Sequence, residues 1–167
     1  MAAANTSPAQ SSAPEMVFTM GLPGAGKSTT LGRLGLLDTH EVIDPDAFKA
    51  AHPDYDPKRP ELLHAWSKDK AERAFAAACA AGEGLYIIDG TGTNSDKMVR
   101  RMRQAQAMGF RCRLVYVRVR LSTALERNAK RARTVPEHIV REKALDIATA
   151  FELVSAVADV TDVVDND

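Results

Sequence analysis

The eight residues GLPGAGKS, at 21–28, constrain this chain more than any other stretch in it. Their spacing is G-x-x-x-x-G-K-S, and they stand between an apolar run, MVFTM at 16–20, and TTLGRLGLL at 29–37, which has helical character. A strand, a tight loop and a helix are therefore expected in that order. Glycines let the loop backbone curl until successive N–H groups point at one phosphate, and the new helix adds its positive end. The phosphate cradle is expected to comprise Gly21, Pro23, Gly24, Ala25, Gly26, Lys27, Ser28 and Thr29. Lys27 would reach the β- and γ-phosphates of ATP, and the Ser28 hydroxyl would face Mg²⁺. The competing reading is a glycine-rich turn with an incidental lysine. With glycine at about 7% of average residues, a chance match to the fixed positions is roughly one in a hundred or less.

The remaining chain alternates apolar runs with amphipathic stretches, the order expected of a parallel sheet with helical crossovers. Strands are expected at 16–20, 42–44, 85–89, 113–119 and 160–164, and helices at 61–81, 95–108 and 136–156. Gly82 and Gly109 mark two helix ends, and Pro136 suits a first helical turn. At 167 residues and 45% hydrophobic, the chain is expected to form one α/β domain over 15–167. The polar stretch 1–14, MAAANTSPAQSSAP, has no basic start and no apolar centre, and is expected to be a disordered leader on a cytoplasmic protein. No apolar run approaches the ~20 residues of a membrane span. Cys79 and Cys112 match no paired or CxxC spacing, so reduced structural thiols are expected, and the histidines form no HExxH-like zinc cluster. Right-handed crossovers bring the carboxyl ends of all strands to one edge, where open α/β sheets bind ligands. Chemistry is therefore expected just after each strand.

After the second strand comes IDPDAFKAAHPDYDP, at 43–57. Pro45 fixes the turn between Asp44, at the strand end, and Asp46, at the start of a short helix. Asp46 suits the N-cap of that helix and also the base that takes a hydroxyl proton in phosphoryl transfer. Lys49, one turn on, would face the same side and bind an anionic group of the acceptor, or else be an ordinary solvated lysine. After the third strand, in LYIIDGTGTN, Asp89 would hold Mg²⁺ through water or contact the acceptor. Gly90 and Gly92 point to close approach of a ligand to the backbone. Between the fourth strand and the last helix, LERNAKRARTVP puts Arg127 and Arg131 four apart, hence on one helix face, with Arg133 in the following loop. These arginines would form a lid whose planar guanidinium groups chelate phosphate oxygens as charge spreads in the transition state. The loop after the last strand is expected to border the adenine, with no residue assigned.

Zero net charge hides a segregation: −5 over residues 1–96, +11 over 97–133 and −6 over 134–167. Arg100, Arg101 and Arg103 are read as a solvated helix face. The basic block as a whole could serve a nucleic acid, although few aromatics are interleaved with it for base stacking. A guanine switch would need an NKxD-type segment late in the fold, which is missing although DGTG at 89–92 fits a DxxG pattern. A motor ATPase would need more chain. A small kinase needs an acceptor site, a base and a cationic lid.

GLPGAGKST, IDPDAFKAAHPDYDP and IIDGTGTN together resemble the zeta toxin family of P-loop kinases, whose members phosphorylate UDP-activated amino sugars. ALERNAKRARTVPEHIV is more similar to the kinase domain of polynucleotide 5′-kinases, a related group, and the resemblance spans most of 16–140. It implies a P-loop kinase fold, a five-stranded parallel sheet of order 2-3-1-4-5 with helices on both faces. It also implies Asp46 as catalytic base, Lys49 as a substrate-anchoring residue and Thr91 as a substrate contact. The expected function is ATP- and Mg²⁺-dependent transfer of the γ-phosphoryl group to a hydroxyl of a small metabolite. A polynucleotide 5′-hydroxyl as acceptor comes second, and a non-catalytic nucleotide-binding regulatory module is the reading from another class. Nothing in the sequence supports an antitoxin partner.

Overall fold

The computed structural model describes residues 13–167, so the leader expected at 1–14 lies outside the described residues except for Ala13 and Pro14. The Pro14 carbonyl already borders the sheet, accepting a hydrogen bond from the Arg111 N–H at 2.9 Å. Five parallel strands follow, β1 (Glu15–Met20), β2 (Glu41–Ile43), β3 (Leu85–Ile88), β4 (Arg111–Arg118) and β5 (Val160–Asp165), in the order β2-β3-β1-β4-β5. Each apolar run expected to be a strand is one, with ends shifted by a residue or two. The strand order is the one the family resemblance implied.

Helices α1 (Lys27–Arg33), α2 (Pro45–Ala51), α3 (His64–Ala81), α4 (Ser95–Ala107), α5 (Leu121–Ala129) and α6 (Glu137–Ser155) make the crossovers. The helix expected from 61 starts instead as a 3-10 turn, Pro60–Leu63, and becomes α-helical at His64. The central strand β1 alternates its side chains between two apolar layers. Met16, Phe18 and Met20 join α3, α4 and α6 in the larger core, through Phe75, Met102 and Val140 among others. Val17, Ile87, Val115 and Val117 face the other way, onto Ala25 and Leu31 of the loop and helix that follow β1. Burial on both faces explains why the strands read as nearly unbroken apolar runs rather than alternating ones. Cys79 and Cys112 are free and buried in the larger core, and burial pushes the Cys112 thiol up to about 12.

Part of the charge segregation is folded away. β4 carries part of the basic block and β5 part of the acidic tail, and their pairing sets Arg113 against Asp162 at 2.5 Å and Arg118 against Asp165 at 2.6 Å. Arg120 adds a contact with Asp167 at 3.5 Å. Of these, the exposed pairs of Arg118 and Arg120 contribute little to stability, while that of Arg113 is half-buried. Together the pairs engage three of the twelve cations of the basic block at 97–133.

At the carboxyl edge, the Gly21 N–H donates to the Thr91 carbonyl at 3.0 Å, tying the loop after β1 to the loop after β3. Gly92 sits in that second loop at φ 77°, and a Cβ there would come within 3.0 Å of Met20 and Met98. Its lack of a side chain is therefore needed for close packing on the core. Gly90 has open space around it. Gly92→Ala is accordingly expected to cost more than about 1 kcal/mol in urea unfolding, through a positive φ and a clash together, whereas Gly90→Ala should stay within about 0.5 kcal/mol. Equal effects at the two positions would contradict this packing role.

Candidate active site

The loop between β1 and α1 is shaped by what lies behind it. Gly24 has φ 86°, and a Cβ there would fall 2.6 Å from the Ala124 carbonyl of α5, so no other residue lets the loop lie so close to that helix. Ala25 is wholly buried in the smaller core, and its carbonyl accepts from Asn166 Nδ2 at 2.7 Å and from Arg127 Nη1 at 3.3 Å. Lys27 rests its ammonium on the Gly21 carbonyl at 3.0 Å and on that of Leu22 at 3.4 Å. Burial holds this lysine below its ordinary value, the Asp89 carboxylate works against that shift, and the Arg131 guanidinium adds to it.

Above the loop opens a cavity of about 600 Å³. It is lined by Pro23, Gly24, Gly26, Lys27, Ser28 and Thr29 of the loop, by Asp44 and Asp46, by Asp89, Gly90 and Thr91, by Arg127, Arg131, Arg133 and Val135, and by Lys143 of α6. Most of the residues singled out from the sequence thus meet in one place. Gly21 and Ala25 are buried beneath it, shaping the loop from below.

Several expectations need correction. Asp46 is not the N-cap of α2. That position belongs to Asp44, whose Oδ1 accepts from the Asp46 N–H at 2.9 Å, with Pro45 in the first turn. The proline follows the cap and occupies the first helical position, where its missing N–H costs nothing. Lys49 does not reach the cavity. It is 1% exposed, packed between α2 and α3 with Nζ 3.3 Å from His64 Nδ1, because α2 turns that face onto α3. Arg131 does not share a helix face with Arg127, since α5 ends at Ala129. The cause is Asn128, nearly buried, whose amide donates to the Val135 carbonyl at 2.7 Å and accepts from the Val135 N–H at 3.0 Å. This two-point clasp closes residues 129–134 into a loop. Arg101 is not a solvated residue either, since its guanidinium lies over the Phe75 ring, 5.2 Å from the centroid.

The arginines divide by partner. Arg127 donates to the Asn166 carbonyl at 2.6 Å as well as to Ala25, so it braces the phosphate loop against the chain after β5. Arg133 pairs with Asp46 at 3.2 Å. Arg131 lines the cavity and makes no ion pair among the described residues.

On the acidic side, the Asp89 Oδ1 lies 2.6 Å from the hydroxyl of Thr19, a buried polar residue of β1 that also accepts from the Gly90 N–H at 2.9 Å. Burial pushes the Asp44 carboxyl up to about 6, and the neighbouring Asp89 charge adds to the shift. Two carboxylates that repel each other beside an exposed serine hydroxyl form a donor set of hard oxygens that a divalent cation would suit. Thr19, Asn128, Lys143 and Asn166 went unremarked in the sequence. A threonine among apolar strand residues and an asparagine beside the arginine run were the available signals, while Lys143 and Asn166 had none.

Residues 16–154 match a family described as an AAA domain. No curated protein matches the sequence. Among solved structures, one from the PezAT chromosomal toxin–antitoxin system of Streptococcus pneumoniae is similar at a TM-score of 0.69 and 19% identity, covering 94% of this chain and 69% of that one. Shikimate kinase from Acinetobacter baumannii, in complex with shikimate, is similar at a TM-score of 0.53 and 20% identity, covering 91% of this chain and 84% of that one. With the sheet order, these likenesses show a P-loop kinase fold.

The Asp44 shift has a consequence for stability. In the folded chain this carboxyl keeps its proton up to about pH 6, against an ordinary value of 3.8. The folded state therefore binds more protons across that window, and stability falls as pH rises through it. Asp44→Asn keeps a capping oxygen for the Asp46 N–H and removes the titration. Its thermal midpoint relative to the unsubstituted protein is expected to rise between about pH 4 and pH 6 and to level off above. A difference independent of pH would show that Asp44 is not held in this buried state.

Proposed function

This chain belongs to the AAA domain family, and on that premise we propose that it is an ATP-dependent phosphotransferase acting on a hydroxyl of a small metabolite. The observation that carries the reading is the shared cavity, where the phosphate loop, an exposed carboxylate free of any capping duty and a cationic loop face one space. Lys27 and Ser28 would hold the β- and γ-phosphates and their metal, with Asp44 and Asp89 supplying the negative charge that keeps a cation in place. Mg²⁺, when bound, would neutralise phosphate charge. Asp46 would accept the proton from the acceptor hydroxyl as its oxygen bonds to the γ-phosphorus and the bond to the β-phosphate oxygen breaks, releasing ADP. Arg133 would hold the Asp46 carboxylate in position through their ion pair, and Arg131 would meet the charge that spreads over the transferred group.

A zeta-toxin-like acceptor, such as a UDP-activated amino sugar, is the first choice, supported by the three motifs that resemble that family. A polynucleotide 5′-hydroxyl comes second. The pairing of Arg113, Arg118 and Arg120 with the acidic residues at and beyond β5 weighs against it, because those arginines are already engaged. Turnover of γ-labelled ATP against pools of hydroxyl compounds distinguishes both from a module that only binds nucleotide.

Because Asp44 and not Asp46 caps α2, Asp46→Asn and Asp46→Ala are both expected to shift unfolding free energy by less than about 1 kcal/mol. Single-turnover transfer should drop by about 10²-fold or more in each. Well-folded variants with near-normal transfer would remove Asp46 from the mechanism. Arg131→Ala should lower kcat much more than nucleotide affinity, as expected of a group acting on transition-state charge. Arg127→Ala should weaken nucleotide binding and lower the thermal midpoint as well, since it braces the loop. Identical profiles for the two variants would contradict this division.

A further inference from the structure

A second cavity, of about 270 Å³, lies beside the first and shares Asp89, Gly90, Thr91 and Lys143 with it. Its inner wall is apolar, with Phe18, Ile43, Ile88 and Met98. Four cations surround that wall: Lys68 from α3, Lys97 and Arg101 from α4, and Lys143 from α6. The one carboxylate lining it is Asp89, already engaged with Thr19. Among the described residues, the one ion pair any of the four cations makes is a loose contact from Lys97 to Glu72 at 3.9 Å.

This concentration of like charge is held in place by the fold. The Asn94 side chain caps α4 by accepting from the Lys97 N–H at 3.1 Å, and Arg101 is laid against Phe75. Lys143 reaches across to the Thr91 hydroxyl at 3.4 Å, on the wall between the two cavities. Burial holds Lys97 below its ordinary value, and the charges of Arg101 and Lys68 push the same way. Partly desolvated cations that repel one another lower their free energy by taking up an anion.

We propose that this side cavity is an anion subsite, which takes a phosphate or carboxylate group on the small molecule whose hydroxyl is phosphorylated at Asp46. The assignment rests on the kinase reading given above and narrows its acceptor to a class: an anionic small molecule with an apolar portion, its charged group among Lys68, Lys97, Arg101 and Lys143 and its hydroxyl in the main cavity. It moves the acceptor-anchoring role expected of Lys49 to residues that line a cavity.

Calorimetric titration of inorganic phosphate, and separately of acetate, into the protein saturated with Mg²⁺ and a non-hydrolysable ATP analogue reads this subsite, because the analogue fills the phosphate loop. Saturable anion binding is expected. Lys97→Gln and Lys68→Gln should each weaken it by about tenfold, the scale of one charge-assisted contact, and Lys97→Arg should retain it. Lys68 is exposed, so its substitution leaves the fold intact even if Lys97→Gln does not. Tighter phosphate than acetate would assign a phosphorylated acceptor, and the reverse a carboxylate one. Failure of both anions to bind, or binding that neither glutamine substitution weakens, would overturn the subsite while leaving the kinase reading in place. Failure of the ATP analogue to bind would overturn the kinase reading and the subsite with it.

Discussion

The site depends on β1 being held in parallel register on both sides. Glu15 to Phe18 pair with β3 and Glu15 to Met20 pair with β4, so the point at which the chain leaves the sheet for the phosphate loop is fixed by ladders on either flank. The hydrogen bond from Gly21 to Thr91 then locks the first residue of that loop to the turn after β3. Thr19 adds a side-chain link to Asp89 in the same direction. A loop so anchored presents its backbone donors without having to be ordered by the ligand, which is how preorganised electrostatic sites avoid reorganisation during reaction.

Around this anchor the charges fall into three groups that offset one another in different ways. Between β4 and β5, cations and anions from distant parts of the chain neutralise each other directly. In the main cavity Asp44 and Asp89 repel one another while Lys27 is held below its usual basicity, an arrangement suited to bound metal and phosphate. In the side cavity positive charge is in excess. The apparent neutrality of the composition therefore says nothing about any of the local fields a ligand would meet.

Much of the site was legible because phosphate binding needs a local pattern. Lys27, Ser28 and the loop glycines lie within eight residues, and the strand-loop-helix context around them is also local. Asp44, Asp46 and Asp89 were found because strand ends are easily read from apolar runs. Lys49 and Arg131 were misplaced because helical periodicity states neither which face of a helix meets a neighbour nor where the helix ends. Lys49 follows Asp46 by one turn, yet the packing of α2 on α3 buries it. Arg131 follows Arg127 by four, yet the bonds from Asn128 to Val135 end the helix between them.

The sequence by itself determined the element order, the apolar layers and the presence of a phosphate loop, since each follows from spacing over a few residues. The order of strands across the sheet needed family resemblance, because spacing within the chain does not say which strands become neighbours. Only the tertiary structure decided that the basic block would be split, with some arginines paired to the acidic tail and others gathered around two cavities. That division depends on contacts between residues far apart in the chain, 49 positions for Arg113 with Asp162 and 87 for Arg133 with Asp46, and on helices from different crossovers meeting at Lys68, Lys97 and Lys143. Such contacts are set by how the layers pack, a free energy summed over the whole core, and no local run of residues encodes it.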